Sequence, residues 1–225
     1  MKKILTYLFE QKIINLGLAK SLLLDMSSGK FNTSQIAALT SIYNMRPFSI
    51  NEIEGFRQAL LYLCLQININ AFNAIDIVGT GGDKNTFNIS TLASFVVAGA
   101  GEKVIKHGNY ASSSITGSSN ILEMLGCKFT TNVNHLKKLL EKAGICFLHA
   151  PLFYPSIKKI ASIRKNIGTK TMLNILGPLL NPSENQYHFL GVNNMELAKI
   201  YYYFLQRTKK NILSFVVWMV MTKFL

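Results

Sequence analysis

The sequence predicts an α/β protein in two parts: a small N-terminal all-helical domain over residues 1–70, then a larger, mainly parallel α/β domain over residues 71–225. Three observations lead there. Apolar residues recur at helical spacing through the first part. From Ile75 onward, short apolar runs alternate with helical stretches, the order expected of parallel strands joined by crossover helices. Clusters rich in glycine, serine, threonine and asparagine follow the strand candidates, where the loops of such a sheet bind ligands.

Within the first part, Leu16, Ala19, Leu22, Leu23 and Met26 share one helical face, and Gly29 stands where a C-cap belongs. Thr33 or Ser34 is the expected N-cap of a second helix bearing Ile36, Leu39 and Tyr43. Pro47 ends it, because the residue before a proline avoids helical angles. Ser49 and Glu52 have the spacing of a capping box, and Ile53, Phe56, Leu60 and Leu63 line the third helix they open.

In the second part, the strand candidates are Ile75 to Val78, Lys103 to Lys106 and Ile145 to His149. Helices are expected at Ser90 to Ala98, Ser118 to Leu125, Val133 to Ala143 and Ser156 to Ile167, closed in turn by Gly99, Gly126, Gly144 and Gly168.

Composition narrows the function. Apolar residues make up 49% of the 225 residues and charged ones 16%, which excludes a disordered chain. The net charge of +13 favours phosphates, nucleic acid or acidic lipid, but the abundance of Asn, Ile and Lys is also what an AT-rich genome encodes. The charge is therefore read first as composition bias, with nucleic acid set aside as a partner. Cys64, Cys127 and Cys146 are odd in number and lack C-x-x-C spacing, as suits reduced thiols in a cytoplasm. Glu10, Gln11 and Lys12 interrupt the apolar N-terminus before any cleavage site, and the apolar run Phe215 to Met221 is far short of the roughly 20 residues of a spanning helix. A cytoplasmic protein with no membrane partner is expected.

The stretch "DIVGTGGDKNTFNIST" carries the chemistry. Gly79, Gly81 and Gly82 follow the first strand and let backbone approach a bulky anion without Cβ collisions. Asn88, Ser90 and Thr91 open the next helix, where free N–H groups and the dipole favour negative charge. "KHGNYASSS", Lys106 to Ser114, leaves the second strand with a cation and several hydroxyls, and Gly117, Ser118 and Ser119 cap the following helix. Four such clusters at successive strand ends offer more donors than one phosphate accepts. The pattern is neither a Walker loop nor a dinucleotide fingerprint.

"GTGGD", "NTFNIST", "KHGN", "TGSSNILEMLG" and "RKNIGTKTMLNILGPLLNP" together resemble the anthranilate phosphoribosyltransferase family, from about Leu16 to about Leu205. They fit this branch better than the related pyrimidine nucleoside phosphorylases. The resemblance implies a homodimeric fold of the nucleoside phosphorylase and phosphoribosyltransferase kind, with the site between its two domains. It implies phosphoribosyl transfer from 5-phosphoribosyl 1-diphosphate to the amine of anthranilate, in tryptophan biosynthesis, with Mg2+. Gly79, Gly82, Asp83, Thr86, Asn88, Ser90, Thr91, Lys106, His107, Gly108, Asn109, Ser112, Ser113, Ser114 and Ser118 would hold the diphosphate substrate, Ser90 also reaching the magnesium ion. Gly79, Asn109 and Arg164 would hold anthranilate, whose carboxylate matches a guanidinium fork. No side chain is assigned as an acid or base. Two positions depart from the family: Lys84 directly follows Asp83, and Tyr110 stands where many relatives carry arginine.

A larger departure concerns the last residues. Family chains run on and soon carry an acidic pair, in a pattern like D-G-x-D-E, that binds magnesium, whereas no Asp or Glu follows Glu196 here. Reading the codons of "VVWMVMTKFL" again from the third base of Val216, the TGG of Trp218 and the ATG of Met219 and Met221 force GAT, GGT and GAC. The shifted frame permits "GLDGYDEI". The expectation is a C-terminally truncated chain, frameshifted near Asn211 to Val216, and impaired as an enzyme. The rival expectation is a nucleic-acid-binding homologue, whose binding would weaken steeply with salt.

Overall fold

The computed structural model describes residues 1–80, 88–111, 116–168, 171–183, 187–192 and 194–207, and the backbone of 211–216. The frame change inferred around Asn211 to Val216 concerns side chains and residues outside the described ones.

The first part is helical: α1 (Lys2–Phe9), α2 (Leu16–Ser27), α3 (Thr33–Met45) and α4 (Ile50–Leu63). Ala19, Leu22, Leu23 and Met26 of α2 are buried as the stripe predicts, and Gly29 beyond its end takes φ +82°. The cap of α3 is corrected. Asn32, one residue ahead of Thr33, accepts from the Gln35 N–H at 2.9 Å while the Gln35 side chain accepts from Asn32 N at 3.1 Å. Asn32 sits at extended angles with Gln35 at the reciprocal position, so Thr33 and Ser34 fall into the first turn. The Ser49–Glu52 box of α4 is present as predicted. Leu61 joins Ile53, Phe56 and Leu60 in the core, while Leu63 is half-buried.

Glu52 is the polar hub of this part and is fully buried. It pairs with both terminal nitrogens of Arg46 and accepts from Tyr43 Oη at 3.1 Å and Ser49 N at 2.9 Å. Burial pushes its carboxyl up, but the hydrogen bonds from Arg46 and Ser49 outweigh that and hold it below the ordinary range. The Arg46 guanidinium also lies 4.7 Å from the Tyr43 ring centroid. At Gly55 a Cβ would lie 2.4 Å from Leu16 O, so α2 and α4 approach at backbone contact.

The rest of the described chain runs β1 (Ile75–Val78), α5 (Ile89–Gly99), β2 (Val104–Gly108), α6 (Ser118–Met124), α7 (Val133–Ala143), β3 (Ile145–His149), α8 (Ala150–Phe153), α9 (Lys158–Ile167), α10 (Met172–Leu176), β4 (Tyr187–Val192), α11 (Met195–Gln206) and β5 (Asn211–Val216). The strands form one wholly parallel sheet in the order β3-β2-β1-β4-β5. β1, β3 and α7 have the predicted bounds. β2 runs further than predicted, because its pairing with β3 continues through His107↔Leu148 and Gly108↔His149. Lys106, His107 and Gly108 are thus strand residues. Gly99 does not close α5: it is the last helical residue, and the positive φ belongs to Gly101 at +101°. Gly144 and Gly168 are left-handed C-caps as expected, and Gly126 takes φ +83° just beyond α6.

The two parts share one core. α9 packs on α2 and α3, and α10 on α3 and α4. Arg57 Nε donates to Leu179 O at 3.0 Å, Leu65 N to Phe153 O at 2.8 Å and Ile67 N to Pro182 O at 3.3 Å. α5 docks on β1, β2 and β3 through a polar face, burying Thr91 and Ser94. No described helix is long and apolar enough to cross a membrane.

Candidate functional site

The carboxyl ends of β1 and β2 and the start of α5 meet around one small volume. Gly79 follows β1 directly, and a Cβ there would lie 2.9 Å from Ser90 Oγ in the first turn of α5. Gly191 on β4 packs against the backbone that leaves β1, where a Cβ would lie 3.3 Å from both Thr80 N and Val78 O. The Gly79 backbone is therefore held between β4 on one side and the Ser90 hydroxyl on the other.

Lys106 approaches the same hydroxyl. It is 3% exposed, and its Nζ donates to Ile77 O and lies 3.4 Å from Ser90 Oγ. Burial lowers its pKa to about 8, although Asp76 opposes the shift. A loop lysine would be a swinging cation. As a strand residue this one is a fixed charge under the Ser90 turn.

Asn88, the residue before α5, does not cap the helix: its Nδ2 donates to Thr116 Oγ1 at 3.0 Å, tying the β1–α5 connection to the β2–α6 connection. Thr91 N donates to Asn88 O at 3.0 Å, and no side chain caps the N–H groups that open α5, which suits an anionic acceptor there. Thr91 Oγ1 is sealed from solvent and has no hydrogen-bond partner among the described residues.

His107 points back into the protein. Its ring lies 5.7 Å from that of Tyr154, and its Nε2 is sealed without a partner although the residue as a whole is only half-buried. Burial pushes its imidazole down to about 4, with Lys106 and His149 adding to the effect and a backbone hydrogen bond at Leu180 opposing it. A base needed near neutral pH would be poorly placed here; the residue is a neutral strand brace.

Beyond β2, Gly108 is squeezed between Ser118 and Phe147, where a Cβ would meet Ser118 Oγ at 2.4 Å and Phe147 Cζ at 2.7 Å. Asn109 is exposed; its Oδ1 accepts from Tyr110 N at 2.7 Å and its carbonyl accepts from Ser118 Oγ at 3.4 Å. Arg164 lies apart on α9, with its Nε sealed and unpartnered. Burial lowers its pKa. Among the described residues, no hydrogen bond or ion pair joins Arg164 to the loops above. Gly82, Asp83, Thr86, Ser112, Ser113 and Ser114 lie outside the described residues.

Several supporting residues escape sequence reasoning. Asp76, fully buried in β1, accepts from His107 N at 3.2 Å and faces His188 Nδ1 at 4.0 Å. An aspartate inside an apolar strand was the available signal. Asn120 Oδ1 accepts from Ala111 N at 3.0 Å and Gly117 N at 2.9 Å, closing the β2–α6 loop on itself. Asn181 Nδ2 donates to Ile105 O at 3.0 Å from a segment 76 residues further along. Among the described residues there is no cluster of three or more His, Cys, Asp or Glu side chains that could hold a metal ion.

A family model described as glycosyl transferase family, a/b domain, matches residues 71–220. The chain is 53% identical over 212 residues to the anthranilate phosphoribosyltransferase of Flavobacterium psychrophilum, covering 94% of this chain and 64% of that protein. To the Bacteroides thetaiotaomicron protein of the same name it is 47% identical over 210 residues, covering 93% and 63%. The chain thus spans less than two thirds of the length of these relatives. Among solved structures it is similar to anthranilate phosphoribosyltransferase from Thermus thermophilus, with a TM-score of 0.76 at 30% identity, covering 87% of this chain and 62% of that one. The Saccharomyces cerevisiae protein in complex with PRPP and Mg gives a TM-score of 0.70 at 33% identity, covering 84% and 55%.

Proposed function

This chain belongs to the glycosyl transferase family, and from that premise we propose that its site binds 5-phosphoribosyl 1-diphosphate beside anthranilate. The reaction served is transfer of the phosphoribosyl group to the anthranilate amine with release of diphosphate, a step of tryptophan biosynthesis. Support comes above all from the meeting of Gly79, Ser90 and Lys106: bare backbone, a hydroxyl, a helix N-terminus and a fixed cation share one volume.

In this reading Gly79, Gly82, Asp83, Thr86, Asn88, Ser90, Thr91, Lys106 and the 108–118 loop hold the diphosphate substrate, and Asn109 and Arg164 hold anthranilate. Magnesium fits the site in one respect: the Ser90 hydroxyl offers an oxygen ligand next to the diphosphate position, and the ion would supply neutralisation of the leaving group's charge. The protein's own work is positioning. Anthranilate's aromatic amine is already neutral and attacks without a base, and the acidic anilinium proton formed as the bond closes passes to water or to the departing diphosphate, consistent with a His107 held neutral and turned inward. As the anomeric carbon becomes cation-like, the donors of the β1–α5 turn hold the departing charge.

We also carry a homodimer in the cytoplasm as part of the proposal. Exposed Tyr7, Phe9 and Ile13 around α1 support the first, and three cysteines that form no disulfide among the described residues support the second. Calorimetric titration with phosphoribosyl diphosphate and magnesium, and fluorescence titration with anthranilate, test the reading. Gly79→Val should abolish diphosphate-substrate binding in a folded protein. Asn109→Ala and Arg164→Ala should each weaken anthranilate by about 1.5–3 kcal/mol, and the diphosphate substrate by less. Equal losses for both ligands, or normal binding by Gly79→Val, would sink the assignment.

A further inference from the structure

We propose that Ser119 and His149 are a positioning pair whose buried hydrogen bond fixes the Asn109 loop and, with it, the direction in which the Asn109 amide meets anthranilate. The ligand side of this proposal rests on the functional reading above; the loop side does not.

Ser119 is 0% exposed and His149 5% exposed, and Ser119 Oγ lies 2.8 Å from His149 Nδ1. One partner stands at the start of α6 and the other at the end of β3, so the bond ties the helix after the loop to the strand beside it. The same Ser119 donates its backbone N–H to Asn109 O at 3.2 Å. His149 in turn pairs in register with Gly108, the residue before Asn109. The pair therefore grips the loop from both sides of Asn109.

Rings complete the grip. His149 stacks on Phe129 at 4.3 Å and receives the edge of Tyr110 at 4.8 Å, while Tyr110 Oη donates to Glu123 Oε1 at 2.6 Å. Phe129 also leans on Phe147, the ring that fills the space against Gly108. Tyr110, next to Asn109, is thus pinned to α6 at its hydroxyl and to β3 at its ring. Burial keeps the His149 pKa low despite the pull of Glu123, which favours a neutral imidazole whose Nδ1 can accept the Ser119 hydroxyl. An apolar pair would fill the same space, but it would leave the start of α6 free to rotate against β3.

The test is amide hydrogen exchange on the 225-residue chain with Ser119→Ala, His149→Phe, the double variant and His149→Asn. Phenylalanine keeps the ring stack and loses the bond; asparagine keeps a polar atom near the Nδ1 position and loses the stack. Ser119→Ala and His149→Phe should each speed exchange at Tyr110 and at position 119 about tenfold, leaving Ile53 in the helical part unchanged. The double variant should be no faster than either single one, and His149→Asn should lie within about twofold of the parent. In ligand titrations, Ser119→Ala should weaken anthranilate about tenfold and phosphoribosyl diphosphate by a smaller factor. Unchanged exchange in both single variants, additive effects in the double, or equal acceleration at Ile53 would overturn the pair. A parent chain that binds no anthranilate would sink the functional reading, while the exchange results still decide the pair.

Discussion

α4 and α5 bury opposite kinds of residue. In α4 the inner face is Ile53, Phe56, Ala59 and Leu60, and its one buried charge, Glu52, is answered by Arg46, Tyr43 and backbone N–H groups. In α5 the buried residues are Thr91 and Ser94, while Leu92, Phe95 and Val96 are 55%, 43% and 64% exposed. The first helix is stabilised by what it buries. The second buries hydroxyl side chains against the sheet, and Thr91 Oγ1 is sealed there without a hydrogen-bond partner among the described residues. Apolar burial anchors α4, whereas the polar docking face of α5 suits the binding role proposed for its N-terminus.

The sharpest way to break that contrast is Glu52→Ala. It strands the Arg46 guanidinium in a closed interior, which should cost about 3–5 kcal/mol in urea unfolding. A loss below 1 kcal/mol would mean that the hub carries no special share of the stability.

Next in size is an acid effect from the sheet half. The folded pKa of His107 is lowered to about 4 from an ordinary 6.5, so both states are neutral above pH 6.5. Between pH 6.5 and 4 the unfolded chain takes up a proton that the folded one refuses, and stability should fall by up to about 3 kcal/mol. His107→Asn removes this slope. Unfolding of parent and variant at pH 7, 5.5 and 4 should therefore show the parent's advantage shrinking as pH falls, and a constant gap would refute the sealed-imidazole description.

Asn32→Ala should cost about 1 kcal/mol by loss of the α3 cap, whereas Thr33→Ala should cost less than half of that. Equal effects would restore Thr33 as the cap. The smallest change sharpens the contrast from the other side: Leu92→Ser with Phe95→Ser should alter unfolding by less than about 0.5 kcal/mol, since both side chains already meet solvent. The same double variant should lower self-association seen by light scattering. A large destabilisation would show that the outer face of α5 is covered.

Much of the fold was legible because the local signals were unambiguous. β1 and β3 are short, largely apolar runs, β1 followed by Gly79 and β3 preceded by Gly144, and the Ser49–Glu52 box announces α4 by side-chain chemistry alone. β4, β5, α10 and α11 were not read. The β4 segment "YHFLGV" has a histidine and a glycine within it, and its place is set by pairing with a distant β1. The extra length of β2 has the same cause, since only the partner β3 shows that His107 and Gly108 continue the ladder. For the site, the glycine and hydroxyl positions were readable as types. That Lys106 is buried, or that Asp76 holds the His107 amide, depends on tertiary neighbours that no local pattern encodes.

The strand order carries a consequence for how the chain emerges from the ribosome. β1 takes β2 on one side, close in sequence, but its other neighbour, β4, is synthesised more than a hundred residues later. At roughly 5–20 residues per second, that delay is on the order of 5–20 s. During it, β1 can pair with β2, and β2 with β3, yet β1 must expose a full row of amides and carbonyls on its other flank. The central strand of the finished sheet spends its first seconds as an open edge, and a nascent chain with such an edge has reason to engage a chaperone before β4 arrives.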